Sequence, residues 1–468
     1  MSTKRMILAM ILAIRCVAML LLAAAVTCFV VPLEAAETWK SGAAAVNITP
    51  ERFMWMAGYA ARTRPAEGKS TELWAKALVL EDAEGNRGVI VTLDLIGLDR
   101  ALAASICDKL GERYGLKREQ IALCTSHTHS GPVVARNLRP MHYYLLDDTQ
   151  KELVDAYAHR LEEKVVEVVG QAIERLAPSG LTWGSGSATF AANRRNNAEG
   201  EIKRLRAENK VVGPSYHDVP VLAAHNEKGE LTAVLFGYAC HATVLDGYEW
   251  SGDYPGHAQI GVEEAHPGCV ALFWAGCGGD QNPMPRRTVD LAKRHGRELA
   301  DAVNAVLKAD MKPIEGSLTT AYTEVAIPFA KLPQREQLVA DSQSDNVYVA
   351  ARAKVLLSEI DAGRPLSATY PYPIACWKLG NQVQFVALGG EVVVDYALRL
   401  KEELRGGATW VAGYSNDVMA YIPSKRVLTE GGYEGGGAMV YYGLPTVWAP
   451  EVEETIIRGV HEQLGSGN

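Results

Sequence analysis

Two histidines stand at the exit of an apolar run, where Ile121-Ala122-Leu123-Cys124 leads into Thr125-Ser126-His127-Thr128-His129-Ser130-Gly131-Pro132. Imidazoles at i and i+2 of an extended chain share one face, so both nitrogens can reach one metal ion. Gly131-Pro132 signals a turn that would redirect one ring. Two ligands, or one ligand with a catalytic neighbour, both fit this spacing. A third histidine, His241, ends the apolar run from Leu231 to Cys240. The run Leu272 to Ala275 opens into Gly276-Cys277-Gly278-Gly279-Asp280-Gln281-Asn282-Pro283, a loop whose glycines let backbone approach a ligand closely. Val386-Ala387-Leu388-Gly389-Gly390-Glu391 puts a carboxylate at the expected start of a helix, where the helix dipole alone would favour it. Imidazole and carboxylate are the side chains of hydrolytic zinc sites, which keep one position for water or substrate. Taken singly, each segment reads more simply as a tight turn or a core histidine bonded to a carbonyl. Several strand exits carrying ligand types together favour metal chemistry. No H-E-x-x-H motif is present, so the ligands must come from separate segments.

Those segments need a scaffold that brings strand ends together. Apolar, β-branched runs predict strands at 43–50, 75–81, 88–95, 121–124, 231–239, 270–274 and 383–388. Helical periodicity predicts helices at 101–114, 152–176, 290–307 and 392–404. Interleaved strands and helices imply an α/β fold, a large mixed β-sheet core flanked by helices in one catalytic domain. The polar stretch 308–318 is the expected seam, and 194–214, rich in Asn, Lys and Arg, reads as a surface loop.

The N-terminus has a different logic. Lys4 and Arg5 precede an apolar run from Met6 to Val31, and Ala35-Ala36 offers a small-residue cleavage point. Residues 1–36 thus read as a secretory signal, with an uncleaved membrane anchor as the alternative, leaving 37–468 as the hydrolase domain. The expected location is secreted, periplasmic or cell-envelope. The chain carries a net charge of −8, and Lys4, Arg5, Arg15 and Glu34 give the signal +2, so the remainder carries −10. An acidic surface excludes a nucleic-acid partner. Of eight cysteines, the six after residue 36 form no CxxC pair. In an exported protein some of them are candidates for disulfides.

The chain resembles the neutral (alkaline, non-lysosomal) ceramidase family over nearly all of its mature length. The resemblance rests on Asn47-Ile48-Thr49-Pro50, Met56-Ala57-Gly58-Tyr59, Ser-His-Thr-His-Ser-Gly-Pro at 126–132, and Ala-Cys-His-Ala-Thr at 239–243. It continues through 278–283, Gly389-Gly390-Glu391, Asn416 to Tyr421, and Gly432-Tyr433-Glu434-Gly435. It implies a zinc ion (Zn2+) bound by His127, His241, Glu391 and Tyr421, with His129 beside it for proton transfer or oxyanion stabilisation. It also implies that Arg194 and Tyr433 meet substrate. Tyr421 enters only through this resemblance; by itself it reads as a core aromatic.

Three departures bear on substrate. The family's glycine-rich loop carries a serine where this chain has Asn282, and an amide is no nucleophile. A zinc-activated water needs none, and Asn282 can still donate to an oxyanion. Asp280 beside it is expected to orient a group at the metal. Leu428 stands where the family has a tyrosine, and the family's C-terminal immunoglobulin-like domain is not expected in this chain. The expected activity is an exported, zinc-dependent amidohydrolase cleaving the N-acyl amide of ceramide or a related lipid, with His129, Asn282 and Asp280 assisting. Its substrate is a small molecule or lipid, with peripheral membrane contact through that substrate. Alternatives are a zinc hydrolase of another small amide, ester or lactone, and a catalytically silent envelope ligand-binding protein.

Overall fold

The computed structural model describes residues 39–465, so the expected signal segment lies outside the described residues. A nine-stranded sheet is built on β1 (Trp39–Asn47), β2 (Trp74–Glu81), β3 (Arg87–Leu93), β4 (Ile121–Thr125), β5 (Ala177–Ser187), β6 (Asp218–Asn226), β7 (Leu231–Tyr238) and β8 (Val270–Ala275). Its order is β8-β7-β6-β5-β1-β2-β3-β4, with the short pair Lys312–Pro313 added to β5. The two outer pairs, β7/β8 and β3/β4, are parallel, and the inner pairings are antiparallel. A second sheet holds β9 (Leu318–Pro328), β10 (Thr369–Leu379), β11 (Val383–Leu388) and β12 (Ala408–Ala412) in that order, with β11/β12 parallel.

Alternation along the strands shows why the sheets stack. Leu78, Leu80, Ile90, Ala122, Leu235, Leu272 and Trp274 join Ala375, Trp377, Phe385, Ala387 and Trp410 in one buried cluster between the sheets. Their sequence neighbours Ala77, Val79, Val91, Leu123, Phe236 and Phe273 face the other way, into the core beneath the helices. Strands buried on both faces read as continuous apolar runs, the pattern the sequence carries. The outer helices include α1 (Arg100–Tyr114), α2 (Asp148–Glu174), α3 (Asp253–Ala265), α4 (Val289–Lys308), α5 (Val347–Asp361), α6 (Val394–Glu403) and α7 (Val452–Leu464). Helices α2 and α4 cover the large sheet, and α7 covers the smaller one. The α/β class with a large mixed sheet holds; the second sheet is a refinement.

Two expectations need correction. The stretch 308–318 is no seam. Lys312 and Pro313 pair with β5, and Ile314 N–H donates to Leu181 O at 2.8 Å. The stretch 194–214 is not simply a surface loop. Ile202 is buried, Ile202–Ala207 is helical, and Arg195 keeps 7% of its side chain exposed. Arg194 and Arg195 turn inward toward the carboxylates of Glu434 and Glu430, while Lys203, Arg204 and Lys210 stay exposed.

Candidate metal centre

Strand exits from both sheets meet at one place. After β4 the chain turns at His127, whose φ of 58° lies in the left-handed region that non-glycine residues avoid. Beyond that turn Thr128 bridges Ala242 in parallel, and His129 N–H donates to Ala242 O at 3.2 Å. The segment after β4 is thereby zipped to the segment after β7, which places His127, His129 and His241 together. Their ring nitrogens offer one atom each within 4.8 Å of one another, and all three residues are buried. Gly58 makes room for His129: its φ is +100°, and a Cβ there would lie 2.5 Å from His129 Cγ. From the second sheet, the two-residue strands Glu391–Val392 and Tyr421–Ile422 pair in parallel, with Glu391 opposite Tyr421. Glu391 thus precedes helix α6 by three residues and faces the histidines, so the helix dipole does not account for it.

The proton inventory identifies what this arrangement wants. His127 Nδ1 lies 2.6 Å from Ile96 O, and His241 Nδ1 lies 2.7 Å from Gly278 O. Carbonyls only accept, so each Nδ1 carries a hydrogen and each ring is left to turn its Nε2 toward the cluster. Burial, followed by the charge of Arg194, pushes His241 down to about 4, so it is neutral at pH 7. Both Nε2 atoms nevertheless face Glu391 Oε2, at 3.1 Å from His127 and 3.0 Å from His241. That oxygen has no hydrogen-bond donor. His129 Nε2 sits 3.2 Å from His127 Nε2, and Tyr421 Oη lies 3.2 Å from His241 Nε2. Ligand bonds of 2.0–2.1 Å in a tetrahedron imply ligand–ligand separations of about 3.3 Å. Converging lone pairs around a buried carboxylate at that separation fit a metal cation.

The remaining expected residues form a rim. Arg194 donates through Nη2 to Tyr421 Oη at 3.0 Å and through Nη1 to Asn282 Oδ1 at 3.4 Å. Thr243 Oγ1 also donates to Asn282 Oδ1, at 3.5 Å. The Tyr433 ring lies 5.3 Å from that of Tyr421 and is 46% exposed, so it stands at the mouth. Asp280 is set apart from the imidazoles. Its Oδ1 accepts from Val394 N–H at the start of α6, and its Oδ2 accepts from Asn193 Nδ2, both at 2.9 Å. A cavity of about 600 Å³ between Tyr144-Leu145 and α5 is lined by none of these residues.

The model of the family described as neutral/alkaline non-lysosomal ceramidase, N-terminal, matches residues 39–283, more than half of the chain. The chain belongs to that family. Neutral ceramidase of Pseudomonas aeruginosa is 26% identical across 86% of this chain and 69% of its own length. Neutral ceramidase of Drosophila melanogaster is 32% identical, over 20% of this chain. Two solved structures share the fold. The crystal structure of neutral ceramidase from Pseudomonas aeruginosa has a TM-score of 0.69 at 20% identity, over 91% of this chain and 74% of that one. A ceramidase complexed with C2 has a TM-score of 0.70 at 18% identity, over 91% and 75%.

Within this ceramidase-family chain, sequence reasoning passed over several residues at the centre. Tyr442 donates its hydroxyl proton to Glu391 Oε1. Tyr414 packs tilted against His127 with ring centroids 4.2 Å apart, and the Tyr59 ring lies 4.7 Å from that of His129. Glu434 receives Arg194 Nε at 2.7 Å and Arg195 Nη1 at 2.6 Å. Glu434 belonged to a quoted motif and could have been found there; Tyr442 carried no such signal. All six described cysteines are buried and free of disulfides.

Proposed function

We propose that this chain is an exported, zinc-dependent amidohydrolase of ceramidase type, cleaving the N-acyl amide of ceramide or a related N-acyl lipid. The observation that carries the reading is the donorless Glu391 Oε2 shared by two imidazole lone pairs, in a chain of this family. In this reading His127, His241, Glu391 and Tyr421 hold the ion and His129 stays outside its ligand set. A zinc ion there supplies a polarised carbonyl and a water acidified toward neutrality.

The chain's own residues do the rest. Burial holds His129 well below the usual histidine range, so it enters the reaction as a neutral base. It accepts the proton of the attacking water at a ring nitrogen and returns it to the departing amine nitrogen. Arg194, held charged, and the Asn282 amide donate toward the oxygen on which negative charge grows. Tyr433 at the mouth orients the substrate's polar end, and Asp280 fixes the backbone that carries Arg194. The substrate is a lipid that brings the protein to a membrane surface. The apolar segment at residues 6–31 supports export.

Asn282 favours a second substrate class. Its carbonyl is engaged by Arg194 and Thr243 where the family has a serine, which suits another small amide, ester or lactone. The test is turnover of a fluorescent N-acyl-sphingosine beside amide, ester and lactone panels, using zinc-loaded protein. Lipid turnover is expected. Turnover of another panel alone would remove the lipid, and no turnover with zinc bound would remove the enzyme.

A further inference from the structure

We infer that Glu434, braced by Arg195, is a positioning residue that fixes the Arg194 guanidinium against Tyr421 and Asn282. The inference rests on the proposed amide hydrolysis for its kinetic readout and on geometry alone for its structural one. Arg194 spends its donors in three directions. Nε goes to Glu434 Oε1 at 2.7 Å, Nη2 to Tyr421 Oη at 3.0 Å, and Nη1 lies 3.4 Å from Asn282 Oδ1 and 3.5 Å from His241 Nε2. A planar guanidinium has one orientation satisfying all of these, and the shortest, charge-assisted bond is the one to Glu434.

Glu434 is itself held. Its second oxygen accepts from Arg195 Nη1 at 2.6 Å, and Arg195 continues to Glu430 Oε2 at 3.1 Å and Gly431 O at 2.9 Å. Two consecutive arginines therefore grip the two oxygens of one carboxylate. Consecutive side chains on an extended strand point to opposite faces; here a backbone turn brings both to one side. Arg194 N–H donates to Asp280 O at 2.8 Å, Arg195 N–H donates to Asn193 Oδ1 at 3.0 Å, and Asn193 Nδ2 reaches Asp280 Oδ2. Asp280 holds the backbone of the turn, and Glu434 holds the side chain. Glu434 and the Arg195 side chain are nearly fully buried, so solvent screens the pair little.

The consequence is that Glu434 acts through Arg194. A double-mutant cycle in the zinc-loaded full chain tests this, with Glu434→Gln, Arg194→Ala and the pair. Glu434→Gln is expected to lower kcat/KM about 10–100-fold, the range for residues that orient a metal centre's neighbours. In the Arg194→Ala background the same change is expected to cost less than about threefold. Additive losses would overturn the inference, as would full activity of Glu434→Gln. Arg195→Gln, which loosens only the brace, is the second variant should Glu434→Gln not fold. It is expected to move kcat/KM in the same direction by less, and an unchanged value would count against the brace. Crystal structures of wild type and variant give a readout independent of turnover. Arg194 should leave Tyr421 when Glu434 is changed, and an unmoved guanidinium overturns the inference even if no substrate is ever hydrolysed. Absence of turnover in the wild type would instead fall on the proposed function.

Discussion

The Tyr442 hydroxyl donates to Oε1 of Glu391, which leaves Oε2 as the only carboxylate oxygen facing His127 and His241. A carboxylate with one oxygen tied back binds a metal through the other. Tyr442→Phe frees Oε1 and is expected to weaken zinc about 10–100-fold. Competition against a chromophoric chelator measures this. An unchanged affinity would mean that the hydroxyl does not orient the ligand.

His127→Ala should abolish stoichiometric zinc, about one ion per chain by elemental analysis in the wild type. Chelation of wild type should also lower its thermal stability. At a free metal concentration 1,000 times Kd, binding contributes about 4 kcal/mol, or roughly 4–5 °C for a chain of this size. Calorimetry with and without chelator reads it directly. Identical Tm values would show that nothing binds the folded state preferentially.

Gly58→Ala separates two ligand sets. At a φ of +100°, with Cγ of His129 2.5 Å from the new Cβ, the imidazole must move. With His129 outside the ligand set, zinc content should stay near one per chain while kcat falls about 10²–10⁴-fold, the worth of a general base. His129→Gln should behave alike. Loss of zinc from both variants would transfer His129 to the metal, as the proximity of the three imidazoles also allows.

Asp94 sets a pH dependence of stability. Burial raises its pKa to about 6, against the attraction of Lys76 and donors from Trp74 N–H and Gln259 Nε2. The folded state then holds its proton more tightly than the unfolded chain, whose aspartates titrate near 4. Its penalty is absent below about pH 4, grows as pH rises to about 6, and is complete above that. Two pK units correspond to about 3 kcal/mol at most. Asp94→Asn keeps an acceptor and removes the charge, so urea unfolding at pH 4.5 and pH 7.5 should differ less than in wild type. An equal or larger difference would exclude Asp94 as the source.

Much of this was legible in the residues because burial on both faces leaves a plain mark. The runs at 75–81, 121–124, 231–239 and 383–388 lie where strands lie, and each leads toward the centre. Helix α2 was readable from its apolar stripe. The second sheet was not, since β9 is mostly half-exposed or exposed, as at Tyr322 and Glu324, and looks like a connection. Glu391 was misplaced onto a helix because a two-residue strand has no periodicity. Arg194 and Arg195 read as solvated because charge suggests water until a buried acid such as Glu434 is seen opposite. The positive φ of His127 left no signal beyond the nearby glycine and proline.

The stacked sheets have one more consequence. His127 and His241 leave the large sheet, while Glu391 and Tyr421 leave the smaller one. An ion gripped by all four would bolt two layers that otherwise meet largely through apolar side chains. A fragment ending at residue 283 carries both imidazoles yet neither the carboxylate nor the phenol. Capture of an ion by all four would then require the C-terminal third to have docked.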